Sequence, residues 1–168
     1  VMVNALITRF VGRKTDVVIM LNGALGGLVA ITAEPLAPSP IAAICIGGIG
    51  AAVVVAGTSL LEKLKIDDAI GASAVHGVVG VWGTIVIGLC GVDDPMDAST
   101  GIGIFNGGGE QLVTQIIGAL SYCAWAAIMS AIVLGVLKAT IGLRVSEAEE
   151  AEGLDITEHG EKVFGIKP

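Results

Sequence analysis

Hydrophobic and polar positions separate along this chain into long blocks instead of alternating within short elements. Four stretches carry no Asp, Glu, Lys or Arg: 17 residues from Val17 to Ala33, 27 from Pro35 to Leu61, 24 from Ala69 to Val92 and 27 from Gln111 to Leu137. A helix that crosses a bilayer needs about 20 mostly apolar residues. Each stretch meets that length once its turns are trimmed, the first only marginally. A soluble protein can bury one such helix, but four in succession predict an all-α, polytopic transmembrane helix bundle.

The spans are expected at about residues 17–34, 41–61, 69–91 and 112–139, inside a membrane block 9–140 that a polar tail, 141–168, follows. "PLAPSP" (35–40) places three prolines in six residues and cannot continue a helix, so it makes an outer connection. "EKLKIDD" (62–68) is the inner connection, where Asp67 or Asp68 can cap the third helix and meet the positive end of its dipole. The stretch "GVDDPMDASTGIGIFNGGGEQ" forms a second outer loop. The opening "VMVNALIT" (1–8) amounts to about 12 Å of helix, too little to span. It has no basic residues ahead of it, as a signal peptide would, and is expected to be the remnant of a preceding transmembrane helix.

Loop charge gives an independent test of this topology. Arg9, Arg13 and Lys14 precede the first span, Lys63 and Lys65 lie between the second and third, and Lys138, Arg144, Lys162 and Lys167 follow the fourth. All nine basic residues therefore fall on one side of a four-span arrangement, and the positive-inside rule makes that side, with the C-terminus, cytoplasmic. Composition agrees with a lipid setting: 54% of residues are hydrophobic, 15% are charged, and mean hydropathy is +0.86. The net charge of −7 comes largely from the tail "SEAEEAEGLDITEHGEK" and from Asp93, Asp94 and Asp97, and nothing resembles a nucleic-acid-binding face. Cys45, Cys90 and Cys123 are odd in number and lack CxxC spacing, which argues against a disulfide framework and a zinc site and leaves them as small packing residues.

Glycine is abundant, at 25 of 168 residues, and much of it lies inside the spans. In water each helical glycine costs roughly 0.8–1 kcal/mol against alanine, but in lipid small residues four apart let helices pack backbone to backbone. Asn22, Gly26 and Ala30 form one such row, Ala43, Gly47 and Ala51 a second, and Ala72, His76, Gly80, Thr84 and Gly88 a third. The third row places His76 on a stripe expected to be crowded by protein instead of facing lipid.

His76 is the one ionisable side chain inside the third span. Such groups are costly within a membrane and tend to line pathways and relays. Apolar surroundings disfavour the charged ring, and a neutral imidazole can both donate and accept a proton. The plainer reading is a structural histidine bonded to a neighbouring backbone carbonyl or hydroxyl. Other motifs carry less. Neither "GGIG" (47–50) nor "GIGIFNGGG" precedes a helix with the lysine of a phosphate loop. Ser73 three residues before His76 is a poor signal for a hydrolase dyad. Trp82, Tyr122 and Trp125 suit packing or interfacial positions, and His159 lies in the polar tail.

The segments "NGALGGLVAITAEP", "DDAIGASAVHGVVGVWGTIVIGL" and "GLRVSEAEEAEGLDITEHGE", in that order, resemble the ammonium transporter (Amt/MEP/Rh) family, and the tail motif resembles its Amt branch. The resemblance runs from about Lys14 to Phe164 and implies the C-terminal part of an eleven-helix fold: the end of helix 7, helices 8 to 11 and the cytoplasmic tail. It implies a homotrimer with one narrow hydrophobic pore through each protomer, conducting ammonium or ammonia, with no enzyme activity, cofactor or metal. His76 matches the second of the family's paired pore histidines, and Leu25, Thr32 and Ala72 fall at pore-lining positions. Asp67 and Asp68 match an acidic pair at the inner end of helix 10. Arg144, Glu150, Gly153, Asp155 and His159 match the tail that couples protomers and forms a docking surface for a PII-type signal protein. The first pore histidine, the outer recruitment site with its tryptophan and serine, and the phenylalanine gate belong to helices that this chain does not contain, so it is expected to be a fragment of a longer transporter or one part of a split one. The competing expectation is a membrane-anchored docking module for a PII-type protein, without conduction of its own.

Overall fold

The computed structural model describes residues 1–12, 14, 16–33, 39–92 and 102–160. Among these, every regular element is helical. Most of the connection expected at 35–40, the aspartates of the second outer loop and the last eight residues of the tail lie outside the described residues. Two compact units divide the chain, Val1–Tyr122 and Cys123–Pro168.

In the first unit, α1 (Met2–Phe10) is followed by α2 (Val17–Ile31) and α3 (Pro40–Lys63). Local chemistry sets where these helices begin. The Asp16 carboxylate accepts from the backbone N–H of Val18 at 3.0 Å, and Ser39 Oγ accepts from Ala42 N at 3.3 Å. Pro40 sits in the first turn of α3, where its missing N–H has no partner to lose. A π-helical turn, Ser73–Val78, then runs without a break into α4 (Val79–Cys90). A short 3₁₀ turn at Ile104–Asn106 leads to α5 (Glu110–Thr140), which extends into the second unit.

Three of these helical stretches are long and apolar enough to cross a membrane: α3 with 24 residues, Ser73–Cys90 with 18 and α5 with 31. With 15 residues, α2 is apolar but shorter. At 1.5 Å per residue it reaches about 22 Å, against a hydrocarbon core of about 30 Å.

The core of the first unit forms where α2, α3 and the π–α4 segment meet. Ala30, Ile46, Val54, Val75, Val79 and Val86 are all buried, with Val29, Val53, Trp82 and Cys90 packed around them. The α2–α3 contact depends on missing side chains. A Cβ on Gly47 would sit 3.4 Å from the Gly27 carbonyl oxygen, and one on Gly50 would meet Ala30 Cβ at 2.6 Å and the Gly26 carbonyl oxygen at 2.8 Å. The row Asn22, Gly26 and Ala30 is buried throughout. On α1, Asn4 Nδ2 donates to the Ile19 carbonyl at 2.9 Å and Thr8 Oγ1 donates to the Asn4 carbonyl at 2.8 Å, while Asn4 Oδ1 is buried without a hydrogen-bond partner.

The row containing His76 is not a packed stripe. Of its members, Gly88 stands against Leu112, but a Cβ on Gly80 would meet nothing within 4 Å, and Ala72 and His76 are exposed in this chain. The crowded position is instead Gly83, whose added Cβ would lie 3.0 Å from the Val29 carbonyl oxygen and 3.2 Å from that of Ala30. The packed row is the adjacent one, Val75, Val79 and Gly83, which keeps four-residue spacing across the π turn and faces the core, while Ala72 and His76 share the open face. The cysteines also depart from expectation. Cys90 is half-buried, but Cys45 and Cys123 are exposed. Trp82 packs against the core, its Nε1 in a long contact of 3.4 Å with the Ile46 carbonyl, while Tyr122 is 78% and Trp125 65% exposed.

The second unit holds the end of α5 and two short helices, α6 (Glu147–Glu152) and α7 (Leu154–Thr157). Gly153, with φ +101°, divides them; an L side chain is strained at that angle.

Candidate functional site

His76 sits in the middle of the π turn, and the path of the chain into that turn explains its position. After α3, the chain reaches Gly71 with φ +75°, a left-handed value that glycine adopts without strain. Asp68 caps the π turn: its Oδ2 accepts from the backbone N–H of Ser73 at 3.0 Å and of Ala74 at 3.2 Å. Of the two aspartates proposed as a cap, Asp68 makes these bonds, and Asp67 is exposed. The helix therefore starts at Ser73, four residues after the expected Ala69. At the far end of the π turn, Val79 N–H donates to the Ala74 carbonyl, five residues back. Short π segments recur at functional sites because they turn one side chain out of α register.

His76 lines an apolar groove of about 290 Å³ with Leu21 and Leu25 of α2, Ile70 and Ala72 ahead of the π turn, and Val75 within it. The structure thus brings His76, Leu25 and Ala72 together. Thr32 lies outside this groove, at the C-terminal cap of α2, where its Oγ1 donates to the Val29 carbonyl at 2.8 Å. A second, polar groove of about 160 Å³ adjoins the first, with Asp16, Thr58, Ser59, Glu62 and Asp68 in its wall. Val18, Asn22 and Gly71 line both. An imidazole against leucine, alanine and valine can exchange a proton or hydrogen bond with a small polar molecule, in surroundings that do not solvate an ion. Among the described residues, no group of three or more His, Cys, Asp and Glu is placed to hold a metal ion.

In the tail, Arg144 and Glu150 approach to 3.9 Å, with side chains 84% and 62% exposed, so the pair is a weak solvated one. Gly153 provides the break before α7, Asp155 sits in the first turn of α7, and His159 is exposed just beyond it.

The tail also holds a feature that the spacing of its residues signals. Ser146 and Glu149, in S-x-x-E spacing, form a capping box on α6. Ser146 N donates to Glu149 Oε2 at 2.8 Å, Ser146 Oγ donates to the same oxygen at 2.7 Å, and Ser146 Oγ accepts from Glu149 N at 3.3 Å. The hydrogen bonds from the Ser146 side chain and backbone hold the Glu149 carboxyl below its ordinary value. A carboxylate depressed in this way supports the folded turn above the ordinary glutamate range, and that support is lost as pH falls through the folded value. Ser146→Ala is accordingly expected to fray α6 at neutral pH, and acidification to fray it in the parent. Amide exchange of residues 147–152 reads both effects; equal protection in parent and variant would contradict the box.

Comparison with known proteins places these features. The model of the Ammonium Transporter Family matches residues 1–164. Ammonium transporter 1 of Dictyostelium discoideum is 36% identical over 152 residues, 90% of this chain and 33% of that protein. Ammonium transporter Amt2 of Archaeoglobus fulgidus is 38% identical over 155 residues, 87% of this chain and 32% of that protein. Among solved structures, Mep2 of Candida albicans superposes with a TM-score of 0.74 at 28% identity, covering 87% of this chain and 33% of that one. The chain therefore spans about a third of the length of the relatives it matches. Its helices have the ammonium transporter fold, and the chain belongs to the ammonium transporter family of membrane proteins.

Proposed function

We propose that this chain supplies the C-terminal part of an ammonium transporter in which ammonia passes along the His76 groove. The observation that carries the proposal is the meeting of His76, Leu25 and Ala72 on one apolar groove in a chain of this family. An ammonium ion entering a low-dielectric conduit faces a Born cost of order 20 kcal/mol in the idealised limit. Giving up its proton to water at the mouth removes the charge, and the neutral molecule then crosses with the imidazole as a hydrogen-bond donor, acceptor or proton relay. Thr32 completes the lining beyond the groove, toward the outer end of the same pore.

The proposal includes the setting. Basic residues on one side of the spans orient the protein in the cell membrane with its C-terminus in the cytoplasm. The inner end then carries Asp67 and Asp68. The tail, through Arg144, Glu150, Gly153, Asp155 and His159, links the protomers of a homotrimer and offers a surface to a PII-type signal protein.

Ion-resolved flux in proteoliposomes tests this. The protein that contains this chain should move ammonium down its gradient about a hundredfold or more faster than potassium, because a potassium ion has no proton to give up and meets the full desolvation cost. Equal rates for the two ions would exclude deprotonation as the basis of selectivity.

A further inference from the structure

Asn22 is an amide inside an apolar helix, and it is only 8% exposed. Its Nδ2 donates to the backbone carbonyl of Ile70 at 2.8 Å, across 48 residues of sequence. That carbonyl lies between two chain features that need a fixed geometry. Asp68 stands before it, holding the first N–H groups of the π turn, and Gly71 comes after it at φ +75°. Gly71 also packs directly on the amide, since an added Cβ would collide with Asn22 Nδ2. The Gly71 carbonyl in turn accepts from Val75 N–H at 3.0 Å, one residue before His76.

A peptide carbonyl held at one end by an amide from another helix cannot rotate about its neighbouring dihedrals. The left-handed residue after it is then locked, and so is the start of the helix. A start fixed by one turn sets the angle at which every later side chain leaves the axis until the winding returns to α at Val79.

We infer that Asn22 is a positioning residue: through the Ile70 carbonyl and Gly71 it clamps the start of the π turn and so sets where the His76 ring stands in the groove. The assignment rests on the transport reading above only for its effect on flux. The clamp itself is a claim about the fold. A donor is required at this position, and its length is constrained by Gly71 packed against it.

Asn22→Leu keeps the bulk and removes the donor. In the transport-competent protein that contains this chain, two measurements are paired: backbone amide exchange, and flux as a function of ammonium chloride concentration. The clamp predicts exchange at residues 73–79 faster by about tenfold, with α3 unchanged. It also predicts a maximal flux lower by about fivefold or more, at a half-saturating concentration that moves by less than about twofold. Asn22→Ser, whose hydroxyl is too short to reach Ile70, should do the same more mildly and replaces the leucine variant if that one does not fold. Exchange unchanged at 73–79, or raised equally in α3, overturns the clamp. So does a raised half-saturating concentration with full maximal flux, which would mean that Asn22 handles the substrate itself. Should the parent carry no ammonium flux, the transport reading falls while the exchange comparison still decides the clamp.

Discussion

Gly50→Leu is expected to stop α2 and α3 from pairing. A single added Cβ at residue 50 would already stand 2.6 Å from Ala30 Cβ and 2.8 Å from the Gly26 carbonyl oxygen. Neither neighbour is the end of a flexible side chain, so the strain can be relieved only by moving one helix away from the other. Overpacking of this kind costs about 1–3 kcal/mol in a soluble core, and leucine adds three more carbons to the clash. In lipid no hydrophobic force holds the strained pair together, because separated helices exchange protein contacts for equally apolar acyl chains. The same separation would uncover Ala30, Ile46 and Val54 and release the shelf against which Val75 and Val79 pack. Gly48→Ala is the matched control on the same helix: its Cβ would have Val3 Cγ2 at 3.7 Å, an ordinary contact. Thermal unfolding in detergent should show a large loss for Gly50→Leu and none for Gly48→Ala. Equal melting of the two variants would refute the close-packed crossing.

How far the sequence could be read depends on the range of each interaction. Runs of apolar residues mark the helices because membrane insertion depends on run length, a local quantity. The buried row Asn22, Gly26 and Ala30 was legible for a similar reason: an unbroken α-helix keeps four-residue neighbours on one face. The row through His76 was drawn one position away from the packed face: Val75, Val79 and Gly83, also four apart, are the buried set, and residue size alone does not tell which of two adjacent rows meets the core. Nothing local announces the π turn either. Its start is set by Gly71 and by Asn22, which is 48 residues from the carbonyl it holds. The Asp68 cap was visible as one of two candidates, and geometry alone could separate it from Asp67. Leu25 and Ala72 came from resemblance, and they stand beside His76. Thr32, assigned the same way, does not share their groove. The Ser146–Glu149 box has a legible spacing, but the many glutamates of the tail mask it.

Removing the imidazole should have the second large effect. Apart from Asn22 and Gly71, the groove wall around His76 is leucine, isoleucine, alanine and valine. With the ring gone, a molecule of ammonia crossing this stretch would find carbon on most sides, and its hydrogen-bonding groups would go unmatched. An unmatched polar group in apolar surroundings costs about 1–3 kcal/mol by protein mutational measures, which is roughly ten- to a hundredfold in a rate. Loss of a positioned proton donor or acceptor carries a penalty of similar or larger size, about 10²–10⁴-fold in enzymes. The substitution is not expected to unfold the protein, because His76 is exposed in this chain and forms no part of the buried core. His76→Gln, which keeps a donor and an acceptor on a flexible stem, should lie between alanine and the parent.

Ammonium flux through His76→Ala, reconstituted in proteoliposomes beside the parent at equal protein and verified folding, tests the role of this ring most directly. Flux reduced by about tenfold or more, with thermal stability retained, is the predicted result. Undiminished and equally selective ammonium flux without the imidazole would contradict it.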